Sequence, residues 1–271
     1  MPAPEITGPG ELTGALPIPP IPKAALVTGA ARRIGRALAL GLAEAGYGVA
    51  VHHHSSHDAA QALVAEIGRG GGKAVALAAD LADEAAVRKL LPAAAAVLGP
   101  IGVLVNNASI FENDTVATAT RESWDAHLAV NLRAPFVLIQ DYAASLPGDS
   151  GGVVVNLLDE RVWNLTPYFV SYTVSKMGLW TLTRTMALAL APRIRVNAIG
   201  PGPTLPNARQ TPAQFLDRCN NMPLRRGTSP REIAAAMRFI LDAPAMTGQM
   251  IALDGGEHLG WAQRGHAPTP E

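Results

Sequence analysis

Tyr172 and Lys176 stand four residues apart in the run Ser171-Tyr172-Thr173-Val174-Ser175-Lys176. On a helix, residues at that spacing share a face. A lysine ammonium beside a phenol favours the phenolate, so the spacing predicts a Tyr172 pKa drawn from about 10 toward working pH. A phenol tuned in that way can pass a proton during hydride transfer. Taken alone, the pair is also what an ordinary helix surface looks like. It gains weight from three other segments: the glycine-rich turn Thr28-Gly29-Ala30-Ala31-Arg32-Arg33-Ile34-Gly35, the run Asn106-Asn107-Ala108, and Asp254-Gly255-Gly256.

The elements that must position these residues alternate. Short apolar runs at 24–27, 49–51, 74–78, 103–105, 153–157, 194–198 and 250–253 read as strands. Helical spacing covers 34–45, 58–67, 83–97, 124–144 and 168–190. Strands alternating with helices imply βαβ units and a parallel sheet. Strands this uniformly apolar fit a sheet covered on both faces. The segment from Gly200 to about Arg226 breaks the rhythm. It is proline-rich and reads as a loop with a short helix, either a substrate lid over the strand ends or a plain surface insertion. Residues 1–22 read as a loose proline-rich extension, residues 23–261 as the folded domain, and 262–271 as a polar tail without an assigned role.

Composition narrows the function classes. The chain has 271 residues, 48% hydrophobic and 16% charged, with a net charge of 0. That suits one large α/β domain and points away from nucleic acid or acidic lipid as partner. A single cysteine, Cys219, excludes an internal disulfide, so a reducing, cytoplasmic setting is expected. No apolar run is long enough for a membrane span.

The glycine turn follows the first strand and opens the first helix, where backbone N–H groups can hold a pyrophosphate. Gly29, Ile34 and Gly35 are therefore cofactor candidates. An NAD site places an acid at the end of the second strand to hold the ribose 2′-OH. Here that strand ends in His52-His53-His54-Ser55-Ser56, and the next acid is Asp58. Arg33, His54, Ser55 and Ser56 can instead surround a 2′-phosphate, because a guanidinium fork suits that oxyanion. NADP(H) is expected over NAD(H). His52 and His54 share a strand face, but two histidines without a third ligand make a poor metal site, and none is expected. Asp80 and Leu81 end the third strand, where a carboxylate can accept from an adenine amino group or cap the next helix. Asn107 and Ala108 fall where ribose and nicotinamide would lie, and Pro201-Gly202 beside the nicotinamide amide.

With these residues in hand, the chain resembles the short-chain dehydrogenase/reductase family over residues 23–260. The resemblance rests on the glycine turn, Asp80-Leu81, Asn106-Asn107-Ala108, Asn131, Tyr172, Lys176, Pro201-Gly202 and Asp254-Gly255-Gly256. It implies a single-domain, Rossmann-type, doubly wound sheet of seven parallel strands flanked by helices. It also implies Tyr172 as proton donor, Lys176 on the nicotinamide ribose, Asn131 in a water relay, and a homotetramer. Two departures narrow it. Arg33 stands where the family has glycine, and Asp159 stands 13 positions before Tyr172, where it has serine. Both resemble the pteridine reductase branch, as do 52–56 and Ala108-Ser109-Ile110-Phe111. That branch implies Ser109 contacting the ligand and Phe111 stacking on a pterin ring. Without the resemblance, Phe111 reads as a core or loop anchor. Trp163 either lines the substrate pocket or packs beneath the lid.

Aspartate changes the chemistry. A serine hydroxyl donates to a developing alkoxide, whereas an ionised carboxylate only accepts. Asp159 therefore suits a substrate that presents N–H groups, such as a pterin, and it raises the phenol's pKa against Lys176. The expected function is an NADPH-dependent reductase of a C=N bond in a (dihydro)pteridine. The alternatives are a carbonyl reductase, for example of a 3-oxoacyl thioester, and a non-catalytic NADP(H)-binding sensor or scaffold.

Overall fold

The computed structural model describes residues 19–207 and 209–260. The remainder of the expected N-terminal extension and the C-terminal tail lie outside the described residues. Seven strands form one sheet in the order β3-β2-β1-β4-β5-β6-β7, with every neighbouring pair parallel. They are β1 Ala24–Val27, β2 Gly48–His53, β3 Ala74–Ala78, β4 Val103–Asn106, β5 Gly152–Leu157, β6 Ile194–Pro201 and β7 Met250–Leu253.

Both faces of the sheet are buried, and the period of two shows how. Ala25, Val27, Val49, Val51, Val103 and Val105 join one core with α1 Arg33–Glu44, α2 His57–Arg69 and α8 Pro230–Asp242. Ala24, Leu26, Ala50 and Leu104 face the other, built with α3 Glu84–Leu98, α5 Ala134–Ser145 and α6 Val170–Leu190. The chain winds outward from β1 to β3, then returns to place β4 on the other side of β1. The strand order reverses between β1 and β4, and a crevice opens there beyond the strand ends. This is the doubly wound, Rossmann-type architecture expected.

Local signals set the helix starts. Asp83 caps α3 by accepting from Ala85 N at 2.9 Å. Reciprocal side-chain and backbone bonds cap α4 Arg121–Leu128 (Thr120 with Ser123) and α7 Pro212–Asn220 (Thr211 with Gln214). The single helix expected over 124–144 is instead α4 and α5 joined by a π-helical stretch, Ala129–Arg133. Helix α8 has no counterpart among the expected elements, although Ser229-Pro230 and Glu232 form a start signal and Ile233, Met237 and Ile240 a buried stripe. Of residues expected to be loose, Pro19–Pro22 lie against the sheet: Gly151 N donates to Pro20 O at 3.1 Å, and Ile21 packs on the core.

Candidate active site

The glycine turn is braced from two sides. Thr28 Oγ1 accepts from Asn107 N and Ala108 N at 2.9 and 3.0 Å. The Asn107 amide donates to Thr28 O and Gly29 O at 2.8 and 3.1 Å. Gly29 has φ +61°, and a Cβ on Gly35 would stand 2.6 Å from that amide, so both positions need glycine. On the other side, Gly29 N donates to His52 Nδ1 at 3.0 Å, which leaves Nε2 to donate to Ala79 O at 3.1 Å. Burial lowers the His52 pKa to about 4, so the ring is neutral as those bonds require. His52 is thus a turn-holding residue, where the sequence suggested phosphate contact or strand-end exposure ahead of a metal pair.

A groove of about 560 Å³ runs along this turn, lined by Gly29, Ile34, Gly35, Asp80, Leu81 and Ala108 among others. Arg32, Arg33 and His54 line it too. Ser55 and Ser56 sit at the same strand end but do not line it, and Arg32, unforeseen, does. Asp80 also secures its own turn, accepting from Ala82 N at 2.9 Å. The groove has the glycine turn for a pyrophosphate, cationic groups at the β2 end and a carboxylate at the β3 end. Those features fit a phosphorylated dinucleotide.

A second cavity of about 220 Å³ adjoins the groove and is lined by Asp159, Tyr172 and Lys176 together with Ser109, Phe111, Pro201 and Gly202. The Tyr172 hydroxyl donates to Asp159 Oδ2 at 2.8 Å. Burial, then the Asp159 charge, holds the phenol well above its ordinary pKa. This reverses the expectation that Lys176 draws it down. Lys176 lies under the Tyr172 ring, 5.7 Å from the centroid, and its Nζ donates to Leu157 O at 2.8 Å. Burial lowers the ammonium to about 8.

Asn131 sits in the π-helical stretch, where one extra residue per turn redirects side chains. It is fully buried. Its carbonyl accepts from Ile110 N at 2.9 Å, and its amide donates to Ile110 O and Ser175 Oγ at 3.0 and 3.1 Å. These bonds tie the loop after β4 to α6. The same loop is held at Glu112, whose N donates to His127 Nε2 at 3.2 Å, and at Asp114, which accepts from Ser171 N at 3.0 Å.

That loop presents Phe111, which stacks on buried Phe169 with centroids 4.3 Å apart and planes 3° apart, and meets Tyr172 edge-on at 4.7 Å. Phe169 opens α6 at φ 57°, ψ 47°. A left-handed conformation costs a side-chain-bearing residue about 1–2 kcal/mol. The ring contact and its burial offset that.

The segment after β6 closes the cavity. Arg33 donates to Leu205 O and Pro206 O at 3.2 and 3.0 Å. Arg209 donates to Phe111 O at 3.0 Å and pairs with Glu112 at 3.1 Å. Thr204 bonds back to Gly202 O at 2.9 Å. Trp163 does not line the cavity. It is 44% exposed and packs edge-on against His258 and Trp180. Glu160, Arg161 and Arg218, which no sequence motif marks, also line the cavity beside Asp159.

A family model described as enoyl-(acyl carrier protein) reductase matches residues 29–258. The 3-oxoacyl-(acyl-carrier-protein) reductase FabG of Staphylococcus epidermidis is 34% identical over 242 residues, covering 88% of this chain and 99% of its own. Among solved structures, FolM alternative dihydrofolate reductase 1 from Brucella suis, in complex with NADP, is 48% identical with a TM-score of 0.86. The match covers 90% of this chain and 98% of that one. FolM from Brucella canis, also with NADP, is 47% identical with a TM-score of 0.84, over 89% of this chain and 96% of that one. With the ordered motifs and the doubly wound sheet, these matches establish that the chain belongs to the short-chain dehydrogenase/reductase family.

Proposed function

We propose that this reductase transfers hydride from NADPH to a C=N bond of a dihydropteridine, with Tyr172 as the proton donor. The observation that carries the reading is the Tyr172–Asp159 hydrogen bond at 2.8 Å. Asp159 also accepts from Arg161 N at 3.0 Å, so each of its oxygens accepts a hydrogen bond. An acceptor of that kind gives no hydrogen bond to a developing alkoxide, and it favours a substrate that presents N–H groups and takes its proton on nitrogen. The FolM structures from Brucella, named as dihydrofolate reductases and holding NADP, support both substrate class and cofactor.

NADPH, when bound, supplies the hydride. Gly29, Ile34 and Gly35 would hold its pyrophosphate, Arg32, Arg33 and His54 its 2′-phosphate, and Asp80 its adenine. An ammonium has three N–H donors. One from Lys176 goes to Leu157 O, and others are available to the nicotinamide ribose. Phe111 offers a flat face to the substrate ring, backed by Phe169. The segment after β6 acts as the lid, and opening it breaks the Arg33 and Arg209 bonds. Exposed Val174, Met177 and Leu188 on α6 give a homotetramer an apolar contact surface.

A second reading, reduction of a carbonyl such as a 3-oxoacyl thioester, draws on the similarity to FabG. The test is the product formed from dihydrofolate and a dihydropterin with NADPH and, separately, NADH. Tetrahydro product with NADPH alone is expected. Absence of any pterin product would overturn the substrate assignment.

A further inference from the structure

We propose that Glu160 holds a proton in the resting enzyme and returns it to the Tyr172 phenolate left by each turnover. The inference rests on the reductase reading with Tyr172 as donor, and is independent of whether the substrate is a pterin.

Glu160 follows Asp159 directly and lines the same cavity as Asp159 and Tyr172. It is only 2% exposed. Its Oε2 is buried and finds no hydrogen-bond partner, and neither does Glu257 Oε2. The Arg218 guanidinium of α7 reaches both residues, 3.6 Å from Glu160 Oε1 and 3.0 Å from Glu257 Oε1. Among the described residues, the charged groups facing Glu160 are Asp159 and Arg161 on its own segment, Glu257 beyond β7, and Arg218 on α7.

Among the described residues, three carboxyl groups meet two guanidinium groups there. A buried carboxylate with an unpaired oxygen is costly, and the neutral acid is the cheaper form. Burial first, then the charges of Glu257 and Asp159, push Glu160 up, and burial pushes Glu257 up as well. A neutral Glu160 offers an O–H donor inside a cavity whose catalytic tyrosine has just lost its own proton.

The need for that proton follows from the Tyr172–Asp159 bond. Once hydride has gone to the substrate carbon and the Tyr172 proton to the adjacent heteroatom, a phenolate faces a carboxylate across the cavity. In the return step the Glu160 O–H bond breaks and the Tyr172 O–H bond forms, relayed by water. The Glu160 carboxylate then takes a proton from solvent. The turnover consumes one NADPH and one solvent proton.

The experiment is the pH profile of kcat from pH 6 to 10 at saturating NADPH, for the wild type, E160Q, E160D and E257Q. It uses whichever of a dihydropterin or an acetoacetyl thioester the wild type reduces, so failure of the pterin assignment is read separately. Wild-type kcat should fall on the alkaline side as Glu160 loses its proton. E160Q should lower kcat at neutral pH by about tenfold to a hundredfold. It should also abolish that alkaline limb, with KM for NADPH unchanged. E160D should keep the limb, and E257Q, which retains Glu160 with one negative neighbour fewer, should move it to lower pH. Difference infrared spectra at neutral pH should show a protonated carboxyl band that E160Q lacks. A limb unchanged in E160Q and E257Q, or a carboxyl band whose intensity E160Q leaves unchanged, would overturn the proposal.

Discussion

The Tyr172 hydroxyl donates to Asp159 Oδ2 across 2.8 Å, while Lys176 directs its Nζ to Leu157 O. Of these two neighbours of the phenol, the carboxylate is the one bonded to it. Burial adds to the carboxylate's effect, so Tyr172 rests protonated. The role of proton donor proposed for Tyr172 requires that state, and Lys176 does not ionise the phenol.

Replacing Tyr172 with Phe removes the donated proton and leaves the groove along the glycine turn intact. We expect kcat to fall by about a hundredfold or more, with the Kd for NADPH changed less than about threefold. Fluorescence titration with NADPH and a turnover assay read the two effects separately. Turnover close to the wild-type rate would take Tyr172 out of the reaction.

At Asp159 the prediction concerns selectivity. Asp159→Ser restores a hydroxyl that can donate to an alkoxide while losing an acceptor for substrate N–H groups. The ratio of kcat/KM for a simple ketone to that for a dihydropterin should rise by about tenfold. An unchanged ratio would mean that Asp159 does not select the substrate.

Phe111 is expected to act through its ring. Phe111→Leu keeps apolar volume but loses the stack, and an aromatic pair contributes about 0.5–1.5 kcal/mol beyond its area. KM for a dihydropterin should rise about threefold to tenfold, with kcat for a thioester substrate little changed. Equal effects on both substrates would indicate a structural role alone.

Much of the fold could be read from the residues because the signals were local. Strand β3 spans Ala74–Ala78 as expected, and α6 begins within two residues of its expected start. The residues proposed as catalytic were legible because their spacing is fixed by one helix and one strand end. The π-helical stretch around Asn131 escaped, since one extra residue in a continuous helical pattern leaves no periodic mark. Glu160, Glu257 and Arg218 come from three separate segments, and their meeting depends on where α7 lies relative to the turns after β5 and β7. His52 was misjudged for a similar reason: its partners Gly29 and Ala79 are adjacent only across strands. Trp163 lies in a turn whose direction the sequence does not state.

His52 gives a pH prediction for stability. Its pKa falls from an ordinary 6.5 to about 4 in the fold, so the unfolded chain binds the proton more readily between those values. The contribution is present in full above about pH 6.5 and is lost as pH falls toward 4. At full strength it amounts to about 3 kcal/mol. His52→Gln should flatten the decline of melting temperature over that interval, while weakening NADPH binding through the loosened Gly29 turn. A decline as steep as the wild type's would show that His52 is not the group responsible.

The most direct test of the account is the rate of NADPH oxidation by the purified protein with dihydrobiopterin and, in parallel, with an acetoacetyl thioester. The account predicts turnover of the pterin at a kcat/KM well above that for the thioester. Efficient thioester reduction with no pterin turnover would contradict it, leaving Tyr172 and Lys176 in place but assigning Asp159 and Phe111 to a carbonyl substrate.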